Sequence, residues 1–153
     1  MACPFFMPTK RFEGGTWLHP SRLPLGAGWH GHCTSGHPDA PPPTDEHVQR
    51  YCNLGYATSC ASLPSDRTSD AVRFSVSCHS EQRVILRYIS ELNHCPREHG
   101  TLEFVQAERR WISPHPDPRI QKMAECYLES HLRKFESINP ALALGNAPAN
   151  EPL

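Results

Sequence analysis

Four cysteines lie within the first 60 residues of the chain, at Cys3, Cys33, Cys52 and Cys60. The stretch that contains them is rich in Pro, Gly and His and poor in the apolar periodicity of regular elements. Such a stretch has little apolar material with which to hold itself together. Four thiolates are enough to bind a structural zinc ion or an iron–sulfur cluster, so we predict a metal site on these four residues.

The spacing of the four cysteines favours a cluster over a single ion. They are separated by 29, 18 and 7 residues, and the chain contains no Cys-x-x-Cys knuckle. Structural zinc sites commonly use such knuckles, because a tight turn presents two sulfurs to one tetrahedral ion. Widely spaced cysteines suit a [4Fe–4S] cluster, which accepts ligands from separate loops. We therefore predict a [4Fe–4S] cluster, with zinc as the alternative and four buried free thiols as the interpretation without a metal.

Three histidines surround Cys33 in a turn-rich segment, at His30, His32 and His37. One imidazole could replace a cysteine as a zinc ligand, or could donate a hydrogen bond to a sulfur and so tune the metal. An exposed polar loop is the simpler interpretation for at least two of the three.

A second group of cysteines and histidines lies further along the chain: Cys78, His79, His94, Cys95 and His99. It could form a second metal site or a thiol activated by a neighbouring imidazole, and Glu98 with His99 could act as an acid–base pair. We favour loop residues without shared chemistry. No glycine-rich phosphate loop or nucleophile elbow is present, so no small-molecule substrate can be assigned.

The elements that must position the early cysteines are few. Residues 1–43 have no clear period and are predicted to be loops. Thr44 can cap a short helix whose apolar face carries Val48, Tyr51 and Cys52, and Gly55 fits its end. Cys52 would then lie on the inward face of the last turn, with Cys60 in the loop beyond.

The middle of the chain has the patterns of a small antiparallel sheet of about three strands. Residues 72–76 alternate between apolar and polar. Residues 83–89 are rich in β-branched and aromatic types, which favours a strand, although a helical period also fits. Residues 94–100 are predicted to be a loop, and residues 101–107 a third strand.

The clearest element is a carboxy-terminal helix. Asp117 is a good N-cap and Pro118 suits the first helical position. An apolar stripe at helical spacing then runs from Ile120 to Leu132. The helix is predicted to reach about Phe135 and to pack on the sheet, and residues 137–153 are predicted to be a disordered tail.

Together these patterns predict an α+β protein with an irregular metal-binding segment (residues 1–64), a small core (65–136) and the tail. The formal net charge is −1, so no basic field would attract nucleic acid. Neither a secretory signal nor an apolar run of transmembrane length is recognisable. We therefore expect a cytoplasmic protein that does not engage a membrane and whose cysteines stay reduced.

Three functions are compatible with this sequence. The first is a [4Fe–4S] protein with a structural or electron-transfer role. The second is a zinc-stabilised module that binds a protein or, less readily, a nucleic acid. The third is a small enzyme that uses Cys95 or Cys78 with a nearby histidine, and whether the chain is an enzyme stays open.

Overall fold

The computed structural model describes residues 1–14, 23–36, 43–56 and 58–139. Its elements, in chain order, are β1 (Phe6–Arg11), β2 (Trp29–Cys33), α1 (Asp45–His47), a π-helical turn (Val48–Cys52), β3 (Ala71–His79), β4 (Arg83–Leu92), β5 (Cys95–Val105), β6 (Arg110–Trp111) and α2 (Pro118–Ile138). Two antiparallel sheets and a carboxy-terminal helix place the chain in the predicted α+β class.

The larger sheet is an antiparallel meander in the order β3–β4–β5–β6. The three predicted strands are confirmed, including the choice of a strand over a helix for residues 83–89. The predicted number of strands is too low, because β6 adds a short fourth strand and β1 and β2 form a separate hairpin.

The predicted loop at residues 94–100 is wrong. β5 begins at Cys95, and the turn before it consists of Asn93 and His94, whose φ angles are 51° and 61°. Two consecutive positive φ angles are typical of the tight turns that match the twist of a hairpin. Residues 95–99 are all exposed, so this end of the strand is held by pairing with β4 rather than by burial. It therefore lacks the apolar alternation that would have revealed it.

The prediction that residues 1–43 form only loops is wrong for the described part. β1 and β2 pair from Phe6 opposite Cys33 to Arg11 opposite Trp29, with an irregularity after Pro8. The two strands approach closely at Gly31, where an added Cβ would lie 2.3 Å from the carbonyl oxygen of Met7. Their short length and the proline inside β1 hide them from a search for periodicity.

One hydrophobic core joins the two parts of the chain. Phe6 and Trp29 from the hairpin are buried together with Val72, Leu86 and Met123 from the sheet and α2. α2 packs against β1 as well as β3, so the sheet is not its only support. Ala2 exchanges two backbone hydrogen bonds with Val72, at 2.7 and 2.8 Å, which ties the beginning of the chain to the edge of the sheet.

The two predicted helix starts are confirmed. Thr44 accepts a hydrogen bond from the amide of His47, and Asp117 accepts one from the amide of Arg119. α2 continues to Ile138, two residues into the predicted tail, and the prediction for residues 140–153 lies outside the described residues. Within the described ranges, no helix combines the length and apolar character that crossing a membrane requires.

Candidate metal centre

The first cysteine lies in a tight turn at the beginning of the chain. The amides of Phe5 and Phe6 donate hydrogen bonds to the sulfur of Cys3, and the amide of Phe6 also donates to the Cys3 carbonyl at 3.1 Å. Backbone donors around a sulfur stabilise its thiolate form and tune a bound metal. Cys3 and Pro4 therefore begin a turn with backbone donors around one sulfur. A Cys-x-x-Cys knuckle has the same feature, but here no second cysteine follows.

Cys33 is brought to this turn by the hairpin. It is the last residue of β2 and pairs with Phe6, the first residue of β1. The amide of the next residue, Thr34, donates to the carbonyl of Phe5 at 2.8 Å. The Cys33 sulfur lies 3.2 Å from the hydroxyl oxygen of Ser35. Strand pairing thus joins the segments of two cysteines that have 29 residues between them in the sequence.

Cys52 ends the π-helical turn and contacts the Cys3 turn through the backbone. The amide of Cys3 donates to the Cys52 carbonyl at 3.1 Å. The next side chain, Asn53, is buried and links this turn to β2, because it accepts from the Trp29 amide and donates to the Trp29 carbonyl, both at 3.0 Å. This paired amide fixes the turn that carries Cys52 against the strand that carries Cys33. Sequence reasoning missed Asn53.

Cys60 belongs to a turn after this helix, where its carbonyl accepts from the amide of Leu63 at 3.2 Å. Gly55, at φ 65°, lets the chain leave the helix in the predicted place. Its Cα approaches the first residue so closely that a Cβ would lie 2.3 Å from the carbonyl oxygen of Met1. Cys60 is partly exposed, whereas Cys3 and Cys52 are buried.

The four thiols lie close enough to influence one another's ionisation. Burial, with smaller contributions from the charges of Cys3, Cys33 and Cys60, raises the pKa of Cys52 to about 12. Burial also raises the pKa of Cys3 to about 11, and Cys33 and Cys60 again act in the same direction. Backbone contacts join the segments of Cys3, Cys33 and Cys52, whereas Cys60 is related to Cys3 and Cys52 by this electrostatic effect. We call these four residues the cysteine group.

The cysteine group, as the structure describes it, does not form the site of a single ion. Over the ranges that the structure describes, no three Cys, His, Asp or Glu side chains are arranged to hold one metal ion. A zinc ion would need its sulfurs at about 2.3 Å from one point. A [4Fe–4S] cluster would instead take each sulfur on a different iron, and such a cluster on these four cysteines stays a prediction.

His47 is the imidazole nearest to the cysteines, and sequence reasoning missed it. Its Nε2 atom lies 3.2 Å from the Cys60 sulfur, and its ring lies 4.6 Å from that of Tyr51. His47 immediately precedes the π-helical turn, in which the backbone bond runs from the amide of Asn53 to the carbonyl of Val48. Turns of this kind are frequent at functional sites. The signal available in the sequence was the position of His47 five residues before Cys52.

The histidines that the sequence offered as substitute ligands lie elsewhere. His30 and His32 alternate with Cys33 along β2, so they face the opposite side of the hairpin. His30 packs on Phe12 and lies 3.8 Å from an Asp45 oxygen. His37 lies outside the described residues. Neither His30 nor His32 joins the sulfurs.

The later cysteines and histidines do not form one site. Cys78 pairs with Ile85 near one end of β4, and Cys95 pairs with Leu92 at the other end. Both thiols are exposed, and Cys126 is buried in α2. The alternative in which Cys78 and Cys95 belong to one site is therefore wrong.

The histidines of this part of the chain have other neighbours. His79 contacts His131 at 3.0 Å, and His94 stacks on Tyr56.

Comparisons of the chain with protein families, with curated proteins and with solved structures gave no match. Any function must therefore be argued from the residues of this chain.

Proposed function

We propose that the protein holds a [4Fe–4S] cluster on Cys3, Cys33, Cys52 and Cys60, with a structural or electron-transfer role. The observation that supports the proposal is that backbone contacts join the segments of Cys3, Cys33 and Cys52, and that the charge of Cys60 acts on the thiols of Cys3 and Cys52. These four residues are far apart in the sequence, and they are the same four that the sequence predicts as ligands.

Metal binding to this group would have to remove the protons from its thiols. Burial and mutual repulsion raise the pKa values of Cys3 and Cys52, so four thiolates together are unfavourable without compensating positive charge. Iron ions supply that charge and deprotonate the thiols on binding. The two amides that donate to the Cys3 sulfur act in the same direction. Cys33 and Cys60 are partly exposed, which leaves one side of the cluster close enough to solvent for electron exchange with a partner protein.

The experiment is metal analysis of protein purified without air, together with an absorbance spectrum. We expect brown protein with sulfur-to-iron charge-transfer bands and about four iron and four sulfide per chain. Colourless protein with stoichiometric zinc would reject the cluster, and protein without any metal would reject a metal centre altogether.

A pair of equally buried cysteines provides the matched variants. Cys52 and Cys126 are 4% and 3% exposed, but only Cys52 belongs to the group. Cys52→Ser should lose the cluster, and Cys126→Ser should keep its full iron content. Equal iron content in the two variants would remove Cys52 from the ligand set.

The second candidate is a zinc-stabilised module that binds another protein, with nucleic acid disfavoured by the net charge of −1. The contact between His47 and Cys60 favours it, because an imidazole beside a sulfur is a common zinc combination. His47→Ala separates the two candidates. A four-cysteine cluster keeps its metal in this variant, whereas a zinc site that includes His47 loses it.

A further inference from the structure

A cavity of about 560 Å³ lies between the beginning of α2, the first residues of the chain and the end of the sheet where β4 turns into β5. We call it the α2 cavity. Its polar lining includes Arg67, Ser90, Arg97, Glu98, His115 and Arg119. The metal centre uses none of these side chains, so their gathering around one space needs a separate explanation.

His115 presents an unused donor at this cavity. Its side chain is 4% exposed, and its Nδ1 atom accepts a hydrogen bond from the Asp117 amide at 2.9 Å. In the neutral ring the proton is therefore on Nε2. Nε2 has no hydrogen-bond partner among the described residues, and the nearest carboxylate oxygen, from Glu98, is 3.7 Å away. A buried donor of this kind is costly unless an acceptor enters the cavity.

Three guanidinium groups line the same cavity, and each keeps at least one N–H donor available for a ligand. Arg119 uses two nitrogens on Asp117, at 3.0 and 2.6 Å, and keeps a third. Arg67 uses one nitrogen on Asp70 and one on a carbonyl oxygen, and also keeps a third. Arg97 has no ion-pair or hydrogen-bond partner in the described part of the chain. The planar donors of arginine match phosphate and carboxylate oxygens.

The acidic groups at the cavity are largely engaged with the protein itself. Asp117 is bound by Arg119, and a Glu98 oxygen accepts from the Tyr88 hydroxyl at 2.9 Å. Among the described residues, the lining therefore has more hydrogen-bond donors that are not engaged within the protein than acceptors that are not engaged. We propose that the α2 cavity binds a small ligand through a phosphate or carboxylate group, which accepts from Arg97 and from Nε2 of His115.

The position of the cavity relates this ligand to the cysteine group. Pro4 and Phe5 line the cavity directly after Cys3, and the guanidinium of Arg119 lies 5.4 Å from the centre of the Phe5 ring. A ligand here would touch the turn whose amides donate to the Cys3 sulfur. The proposal does not depend on which metal the cysteines hold, because none of the donors to the ligand is a cysteine.

The test is equilibrium dialysis of the intact protein against labelled inorganic phosphate and, separately, labelled acetate, at constant ionic strength. We expect saturable binding of at least one of the two anions. Arg97→Ala should weaken that binding roughly tenfold, the usual effect of removing one charged hydrogen bond. Arg87→Ala is the matched control, because Arg87 is also exposed and unpaired but lies outside the cavity.

His115→Gln provides a second variant, and its near-ultraviolet circular dichroism reports whether it folds. Arg97 is exposed, so its variant decides the question even if His115→Gln does not fold. Metal content is measured on the same samples, so that weaker binding at constant metal content is assigned to the cavity. Absence of saturable binding of both anions, or equal weakening by Arg97→Ala and Arg87→Ala, would overturn the proposal.

Discussion

The amino-terminal segment (residues 1–64) and the four-stranded sheet hold their backbones in different ways. In the sheet, three long neighbouring strands pair along their lengths, so each strand supports the next. In the described part of the amino-terminal segment, a short hairpin and one helical turn are joined by single contacts such as the buried Asn53 amide. Continuous strand pairing is made by backbone atoms and does not depend on particular side chains, whereas single contacts depend on a few specific residues. This is the part of the molecule where a metal has the most to stabilise.

The two regions are nevertheless one folding unit. Phe6 and Trp29 share a core with Leu86 and Met123, and Ala2 pairs with Val72. A metal on the cysteine group would therefore be expected to stabilise both regions. The following predictions test how far this coupling extends.

The largest expected effect is the joint loss of the metal and the fold. In urea, the decay of the visible cluster absorbance should coincide with the decay of the far-ultraviolet circular dichroism, because the core spans both regions. Both signals are measured on one anaerobic sample. Cluster absorbance that disappears well before the circular dichroism would mean that the metal segment unfolds independently of the sheet.

Truncation of one core residue from each region should have similar consequences. Phe6 and Leu86 are both fully buried. Phe6→Ala should lower the free energy of unfolding by about 3–5 kcal/mol and Leu86→Ala by about 2–5 kcal/mol. Urea titration followed by circular dichroism measures both. If Phe6→Ala leaves the unfolding of the sheet unchanged, the hairpin contributes nothing to its stability.

Two glycines, one in the hairpin and one in the larger sheet, allow a finer comparison of the packing in the two regions. A Cβ on Gly31 would lie 2.3 Å from a backbone oxygen of β1, whereas a Cβ on Gly100 would lie 2.7 Å from the Tyr88 ring. A ring can rotate away but a paired backbone cannot. We expect Gly31→Ala to cost about 3 kcal/mol of unfolding free energy and Gly100→Ala about 1 kcal/mol. Thermal unfolding of the two variants tests the order, and the reverse order would contradict the close approach of β1 and β2.

The smallest expected effect concerns the two helix caps, Thr44 and Asp117. They differ in charge, because Thr44 is neutral and Asp117 is ionised. The hydrogen bond from Arg119 is the main cause that lowers the pKa of Asp117. The folded state therefore binds this proton less readily than the unfolded chain. The resulting stability is complete above the unfolded pKa of about 3.9 and is lost as the pH falls through the lower folded value.

Asp117→Asn keeps a good capping residue but removes the charge. It should lower the free energy of unfolding by at most about 1 kcal/mol at neutral pH, and the difference from the unmodified protein should shrink below about pH 4. Urea titrations at several pH values measure this difference. Thr44→Asn is the control, whose effect should not depend on pH in this range. A constant Asp117→Asn effect down to pH 2 would contradict the role of the charge.

Elements with strong local patterns were predictable from the sequence. The stripe and cap of α2, the alternation in β3 and the β-branched run in β4 all report burial of one face, which is a property of neighbouring residues. The beginning of β5 and the β1–β2 hairpin were missed. The beginning of β5 is exposed, and the hairpin contains Pro8. Backbone pairing holds these strands in place, and neither shows the apolar alternation by which a strand is recognised in a sequence.

The sequence by itself determined which four cysteines to consider, the α+β class and the start of the main helix. Only the tertiary structure decided that Cys33 reaches the Cys3 turn, that His47 rather than His30 lies beside a sulfur, and that His115 and Arg97 line one cavity. These contacts join residues far apart in the chain. They depend on strand register and on single buried hydrogen bonds, neither of which leaves a period in the sequence, whereas burial of a helix or strand face does.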